Sequence, residues 1–259
     1  PVLGGRSEGI LLIPPGGGSV PQHVGSQDSY VIQEYIHDPV LVEGRKFTLR
    51  LYVLVTHGPE TSELEVYIHE HGIAKFAAET FEKSRHDFSS SKAHVVNPYA
   101  ATAGKRRERR GGKSIEPEVA APRYVTSLLW PKLQASGYNL YAIQRAVRQS
   151  LARALASVRG EVMALLRQRP SGTRMGHLLG VDVDLARDES RSRGIRALVL
   201  ECNTNPDLGA SGDIERKAKQ DMAEQMLQIL LGGGTTDTQF SRIEDGAEPD
   251  SHKVEDDKV

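Results

Sequence analysis

The sequence has little of several features that would place it in a specialised class. It contains a single cysteine, Cys202, so no internal disulfide can form and a reducing compartment fits best. Aromatic residues make up only 5% and hydrophobic residues 38% of the chain, which predicts that part of it lacks a packed core. No apolar run is long enough for a transmembrane helix, and no basic stretch leads into an apolar one near Pro1, so no signal peptide is predicted.

The sequence also has no marked excess of positive or negative charge. Thirty-three lysines and arginines face 34 aspartates and glutamates, a net charge of −1. This balance argues against a nucleic-acid or membrane footprint along the whole chain. The 259 residues are enough for one large or two small domains. Because the chain starts at proline rather than methionine, we interpret it as part of a longer protein.

Short strands are predicted wherever apolar and β-branched residues cluster or alternate with polar ones. The clearest alternation covers 46–56, where Leu49, Leu51, Val53 and Val55 share one face. The polar segment 186–194 is short enough to join its two flanking strands as an antiparallel hairpin. The predicted strands are 9–13, 31–36, 46–56, 64–68, 73–77, 178–185 and 195–203.

Two helices and two disordered segments are predicted in addition. Apolar residues recur at three- and four-residue steps over 140–166, with arginines on the opposite face, and again over 213–231. Residues 101–122 contain the run KRRERR among glycines and prolines and predict a disordered basic insertion. Residues 232–259 are acidic and polar and predict a disordered tail.

The predicted hairpin carries the residues most typical of a chemical site. Asp182 and Asp184 share one face of the first strand, and Glu201 and Asn203 share one face of the second. If these faces pair, three carboxylates and an amide converge, and a hard cation such as Mg²⁺ suits them. The alternative is the solvent-facing side of an edge hairpin. The surrounding segments are strongly apolar, which favours the metal site.

Two further patterns suit phosphate binding. Lys46, Thr48 and Arg50 share the polar face of one strand, where two cations can hold an anion. An exposed strand edge protected by charge is the alternative. The glycine-rich start GGRSEGI can bring backbone N–H groups to phosphate oxygens, although a flexible turn explains it equally.

Three stretches of the sequence together resemble the tubulin–tyrosine ligase-like family. They are VIQEYIHDPVLVEGRKFTLRLYVLVTHGPE at 31–60, GVDVDL at 180–185 and LVLECNTNPDL at 198–208. The resemblance covers most of residues 1–100 and 124–231. It implies an α/β (α+β) ATP-grasp fold, with mostly antiparallel sheets flanked by helices. On this basis residues 1–231 form the C-terminal two-thirds of a ligase domain whose N-terminal lobe is missing.

The resemblance also implies a nucleotide site. Arg6 to Gly9 corresponds to a flexible loop over the phosphates, and Lys46 to a lysine of the nucleotide pocket. The hinge that reads adenine through its backbone corresponds to Gln33, Glu34, Tyr35 and Ile36. Thr48 and Asn97 complete the implied nucleotide-binding set.

The implied chemistry uses a second group of residues. Asp182, Glu201 and Asn203 correspond to the Mg²⁺ ligands. Arg50 corresponds to the arginine near the γ-phosphate and the activated carboxylate. Lys75 stands where many members have an arginine that holds the acidic tail of the acceptor.

The sequence departs from the family at two implied nucleotide contacts. Thr48 replaces an aspartate that contacts the ribose, and Val96 replaces a hydroxyl residue in the stretch HVVN. Threonine can make at most one of the aspartate's hydrogen bonds, so a working but weak ATP site is expected. On this reasoning the substitution Thr48→Asp would strengthen it.

The resemblance therefore predicts a ligase that uses ATP and Mg²⁺ to add an amino acid to a protein carboxylate through an acylphosphate. Glutamate is the favoured amino acid and the tubulin tails are the favoured acceptor. The implied location is the cytoplasm and cytoskeleton, including the cilium, flagellum or basal body, with no membrane partner. The alternative is a pseudoenzyme that keeps the fold as a microtubule-binding module. A nucleic-acid binder using KRRERR is a third, weaker interpretation.

Overall fold

The structure is a computed structural model, and several predicted features fall on residues that it does not describe. These are residues 9–11 of the strand predicted over 9–13, the insertion at 101–122, residues 244–259 of the predicted tail, and the site residues Arg6, Gly9 and Asn97. The described residues are 12–13, 31–58, 63–82, 91–96, 123–169, 174–188, 194–210, 212–232, 235 and 237–243.

The described ranges contain eight strands and five helices. Every strand pairing among them is antiparallel, and helices flank the sheet, which confirms the predicted fold class. The strands are β1 Leu41–Val42, β2 Arg45–His57, β3 Glu65–His69, β4 Ile73–Phe76, β5 Arg123–Val125, β6 Met175–Asp188, β7 Gly194–Asn203 and β8 Phe240–Arg242. The helices are α1 Ser91–His94, α2 Thr126–Ala135, α3 Leu140–Ala156, α4 Arg159–Leu166 and α5 Asp213–Leu230.

The long strand β2 is the centre of the sheet. Strands β3 and β4 pair with successive halves of β2. Strand β6 also runs along β2 and pairs in turn with β7, as the predicted hairpin requires. Strand β2 is therefore covered on both edges, and its register fixes which side chains of β4, β6 and β7 meet.

Helices cover both faces of the sheet, so β2 is buried on both sides. On one face, Leu49 and Leu51 pack in a cluster with Leu133 of α2 and Leu151 of α3. On the other face, Tyr52 and Leu54 share a second cluster with residues of α5, including Met222 and Ile229. Because side chains alternate along a strand, the second face also carries Lys46, Thr48 and Arg50. These polar residues therefore lie on the same face as Tyr52 and Leu54, next to the part that packs against α5.

The predicted helix over 140–166 is wrong as a single element. The chain forms α3 and α4, and they are separated by Ser157 and Val158. The Ser157 hydroxyl donates to the Ala154 carbonyl at 2.7 Å, which satisfies one of the carbonyls left open at the end of α3. Helix α2 was not predicted, because Pro131 in its interior reads as a helix breaker.

The predicted strand over 31–36 is also wrong. This segment has no regular structure, and Val31 and Ile32 are 90% and 79% exposed. Its β-branched composition is typical of a strand, but a strand also needs a neighbouring strand to pair with, and composition does not reveal one.

The predicted disorder of 232–259 is wrong at residues 240–242. This short stretch forms β8 and pairs with β3 at the sheet edge. Phe240 and Ile243 are 3% and 7% exposed. A three-residue strand in a polar stretch has too little periodicity for prediction from sequence, whereas one buried aromatic anchors it in the structure. Upstream, Gly232 follows the end of α5 with a positive φ of 92°, a conformation that glycine adopts readily after a helix.

No helix within the described ranges is both long enough and apolar enough to cross a membrane.

Gly72, which precedes β4, is required by a close backbone approach to β2. A Cβ at this position would lie 2.5 Å from the Arg50 carbonyl oxygen, which is fixed within the sheet. We expect Gly72→Ala to lower the free energy of unfolding by about 1–3 kcal/mol, since neither backbone can yield. Gly160→Ala is the matched control, because its Cβ would meet nothing within 4 Å. Urea unfolding of both variants checks this, and equal stabilities would contradict it.

Candidate active site

Arg50, Lys75 and Asp182 form a charged cluster on the polar face of the sheet. The Arg50 guanidinium donates from Nε to Asp182 Oδ1 at 2.5 Å and from Nη2 to Oδ2 at 2.8 Å. Lys75 Nζ donates to the same two oxygens at 3.2 and 3.0 Å. The register causes this meeting, because Arg50 pairs with Asp182 across β2 and β6. All three side chains are at least four-fifths buried, with 17%, 14% and 9% of their area exposed.

The charges and hydrogen bonds of this cluster oppose the effect of burial on its pKa values. Burial alone raises the pKa of Asp182, but the hydrogen bonds and charges of Arg50 and Lys75 outweigh it, and the net pKa lies below the usual value. The hydrogen bond to Asp182 raises the pKa of Arg50. Burial lowers the pKa of Lys75, although Asp182 opposes that shift. Two cations thus share one carboxylate, which leaves positive charge available to an anion.

The three predicted metal ligands lie on adjacent strands. Asp182 pairs with Glu201, and Gly180 pairs with Asn203, between β6 and β7. Asn203 Nδ2 donates to Glu201 Oε1 at 2.9 Å, and Glu201 Oε1 lies 3.8 Å from Arg50 Nη2. Carboxylate and amide oxygens are the donors that Mg²⁺ prefers, and the Glu201 side chain is 60% exposed and open to a ligand. The donor types of this set are therefore those that Mg²⁺ accepts, while both oxygens of Asp182 accept hydrogen bonds from Arg50 and Lys75.

The expected convergence of three carboxylates is wrong. The described residues contain no group of three or more Asp, Glu, His or Cys side chains placed to hold a metal. The register shifts between Asp182 and Val183, so that Asp184 lies opposite Leu198 rather than near Glu201. Asp184 instead accepts a hydrogen bond from the Thr48 hydroxyl at 2.6 Å. A β-bulge of this kind cannot be read from the alternation of the sequence.

Lys46 and Tyr35, two of the residues predicted for the nucleotide site, are in direct contact. Lys46 Nζ donates to the Tyr35 hydroxyl at 2.9 Å and lies 4.2 Å from the centre of the Tyr35 ring and 5.1 Å from that of Phe81. Burial lowers the pKa of Lys46 to about 8, although Asp184 opposes this shift. The Tyr35 hydroxyl is also 2.7 Å from Nδ1 of His94, the first residue of the HVVN stretch. Burial, with a smaller effect of Asp184, raises the pKa of Tyr35 to about 12.

The other predicted hinge residues are less defined. Gln33 and Glu34 are exposed, and Ile36 is half-buried. Their proposed contact with adenine through the backbone stays a prediction.

Comparison with known proteins identifies the family. The sequence model of the Tubulin-tyrosine ligase family matches residues 6–238. The chain belongs to this family. It is 26% identical over 202 residues to tubulin monoglutamylase TTLL4 of Homo sapiens, an alignment that covers 77% of this chain and 16% of that protein. Over 236 residues it is 23% identical to tubulin polyglutamylase TTLL5 of Mus musculus, covering 89% of this chain and 16% of the relative.

A third relative gives the same picture. Tubulin polyglutamylase TTLL7 of Mus musculus is 25% identical over 237 residues, which cover 89% of this chain and 24% of the relative. The chain thus spans a quarter or less of the length of these relatives.

One residue of this family member was missed by sequence reasoning. Gly180 lies on β6, beside the cluster. A Cβ there would lie 2.8 Å from Pro206 Cβ and 3.1 Å from Arg50 Cδ. Glycine at this position therefore leaves the space in which the Arg50 side chain lies. The glycine at the start of GVDVDL could have drawn attention to this position. Its role depends, however, on the Arg50 side chain of the neighbouring strand, which the motif alone does not reveal.

Proposed function

We propose that this member of the tubulin–tyrosine ligase family is an ATP- and Mg²⁺-dependent ligase that adds glutamate to a protein carboxylate. The acidic tails of tubulin are the proposed acceptor, and the cytoskeleton is the proposed place of action. The observation that supports this most is the joining of Arg50, Lys75 and Asp182 beside Glu201 and Asn203. The named activities of the relatives, tubulin glutamylation, support the choice of amino acid and acceptor.

Each residue of the cluster has a role in the proposed reaction. Asp182, Glu201 and Asn203 would hold Mg²⁺, which supplies neutralisation of phosphate charge. An oxygen of the acceptor carboxylate attacks the γ-phosphorus of ATP, and ADP leaves. Arg50 and Lys75 orient these anions and stabilise the charge that develops between them. The glutamate amine then attacks the acylphosphate carbon, loses a proton and displaces phosphate, which leaves an amide.

Lys46 would contact the nucleotide as a cation of the pocket, which makes nucleotide binding sensitive to alkaline pH. Its pKa is about 8, so the ammonium loses its charge within a range that leaves Arg50 unaffected. We expect ATP affinity to fall as the pH rises through about 8, because the neutral amine no longer attracts the anionic nucleotide. The substitution Lys46→Arg should remove this dependence up to pH 9.5, because arginine stays protonated there. Calorimetry at pH 7 and 9.5 checks this, and equal pH dependence in both proteins would contradict it.

The function itself is tested by incorporation of labelled glutamate into tubulin by the full-length protein. We expect incorporation that requires both ATP and Mg²⁺ and that disappears when the acidic tails are removed from tubulin by protease. Parallel reactions with labelled glycine and tyrosine test the choice of amino acid. If none of the three amino acids, glutamate, glycine or tyrosine, is incorporated, the ligase assignment is contradicted.

A pseudoenzyme is the second candidate. Both oxygens of Asp182 accept hydrogen bonds from Arg50 and Lys75, so a metal would have to compete with two cations for this ligand. In that case the protein would bind microtubules without ATP-dependent incorporation of any amino acid.

A further inference from the structure

Asp184 is a carboxylate on the polar face of the sheet to which the proposed reaction gives no role. It lies two residues from Asp182 on β6, so the two Cα atoms are about 6.5 Å apart and their side chains share a face. The Thr48 hydroxyl donates to Asp184 Oδ1 at 2.6 Å. Burial raises the pKa of Asp184, and the Thr48 hydrogen bond and the charge of Lys46 oppose this shift. The polar face therefore has two ends, one at Asp182 and one at Asp184.

The two ends suit different parts of one ligand. The Asp182 end presents the cations Arg50 and Lys75, which attract phosphate groups. The Asp184 end presents an acceptor carboxylate, which repels phosphate and attracts hydroxyl donors. A nucleoside triphosphate has this order, with phosphates followed at a distance of several ångströms by ribose hydroxyls. Building on the proposed function, we infer that Asp184 accepts hydrogen bonds from the ribose hydroxyls of the nucleotide.

Burial distinguishes Asp184 from Thr48 as the residue that reaches the ligand. Thr48 is only 5% exposed, and its hydroxyl proton is already donated to Asp184. Asp184 keeps part of its surface exposed. Thr48 is thus a positioning residue that orients the carboxylate, and it is not itself the ribose contact. The weak ATP site expected from Thr48 alone does not follow, because an acidic oxygen is supplied from the neighbouring strand.

This geometry also reverses the expected effect of Thr48→Asp. The new carboxylate would lie beside Asp184, where two like charges at hydrogen-bond distance repel each other. We expect this variant to bind ATP more weakly than the wild type. The exchange variant Thr48→Asp/Asp184→Thr, which keeps one carboxylate at the site, should bind more tightly than Thr48→Asp alone.

The decisive experiment compares ATP with 2′,3′-dideoxyATP, which lacks both ribose hydroxyls. Binding to the full-length wild type, Asp184→Asn and the exposed control Asp237→Asn is measured by calorimetry with Mg²⁺ present, after circular dichroism shows that each protein is folded. We expect the wild type and Asp237→Asn to bind the dideoxy analogue about tenfold more weakly than ATP, the difference that loss of a charged hydrogen bond produces. Asp184→Asn should bind ATP about tenfold more weakly and distinguish the two nucleotides by less than twofold.

The outcomes separate the two levels of the proposal. If Asp184→Asn keeps the full tenfold preference for ATP, Asp184 does not contact the ribose, although the nucleotide site stands. If the wild type binds neither nucleotide at millimolar concentration, the proposed function fails and the ribose assignment fails with it. If Asp184→Asn does not fold, the comparison of Thr48→Asp with the exchange variant decides, and equal ATP affinities would overturn the assignment.

Discussion

Replacing Glu201 by glutamine is expected to reduce ATP-dependent glutamate incorporation by about 100-fold or more. Loss of a residue that only supports a metal ligand costs about 10–100-fold, so loss of a ligand itself should cost at least as much. Glutamine keeps the shape of the side chain and can still pair with Asn203, but it removes the negative charge that Mg²⁺ requires. The measurement is initial rate on tubulin at saturating glutamate, over a range of Mg²⁺ concentrations.

The fold should survive this substitution. The Glu201 side chain is 60% exposed and lies 3.8 Å from Arg50, so its contribution to stability is small. Glu224→Gln, an exposed glutamate of α5, is the matched control and should keep full activity. If Glu201→Gln keeps wild-type rates at every Mg²⁺ concentration, Glu201 is not a metal ligand.

Much of the candidate site could be predicted because strand alternation determines which side chains share a face. The spacing of Lys46, Thr48 and Arg50 placed them together, and the hairpin of β6 and β7 joined Asp182 to Glu201. These predictions needed only a period of two and a short connection. Their success reflects local geometry, which a sequence contains directly.

The rest depends on pairings that local patterns do not contain. The register of β6 on β2, with Leu49 opposite Val183, brings Asp184 to Thr48, and the register shift after Asp182 changes its neighbour on β7; no feature of GVDVDL indicates either pairing. The Tyr35 hydroxyl lies 2.7 Å from His94, a residue 59 positions further along the chain. Strand β8 forms because it pairs with the edge strand β3 and because Phe240 packs in a hydrophobic cluster. Such contacts are fixed by the tertiary structure, which overrides local propensity.

Asp182→Asn is expected to destabilise the fold, unlike Glu201→Gln, because the Asp182 carboxylate is the shared partner of two largely buried cations. Asp182 is 9% exposed in its side chain and is the shared partner of Arg50 and Lys75. Its neutralisation leaves two cations largely buried beside a neutral amide. Removing one partner of a buried ion pair costs about 3–5 kcal/mol, and we expect about 3 kcal/mol here since asparagine can still accept one hydrogen bond. Urea unfolding at pH 7 measures this loss directly.

The pH dependence gives the same prediction a second, independent check. The pKa of Asp182 in the folded protein lies below the ordinary value of 3.8, so the unfolded chain takes up this proton first as the pH falls. The stability that Asp182 contributes is therefore present above about pH 4 and is lost as the pH falls through its folded pKa. The difference between wild type and Asp182→Asn should be largest at pH 6–7 and shrink toward pH 2. The control Asp213→Asn removes an ion pair whose carboxylate is 92% exposed and should change stability little at any pH. A difference for Asp182→Asn that stays constant from pH 7 to pH 2 would show that the variant acts through packing and not through the charge of Asp182.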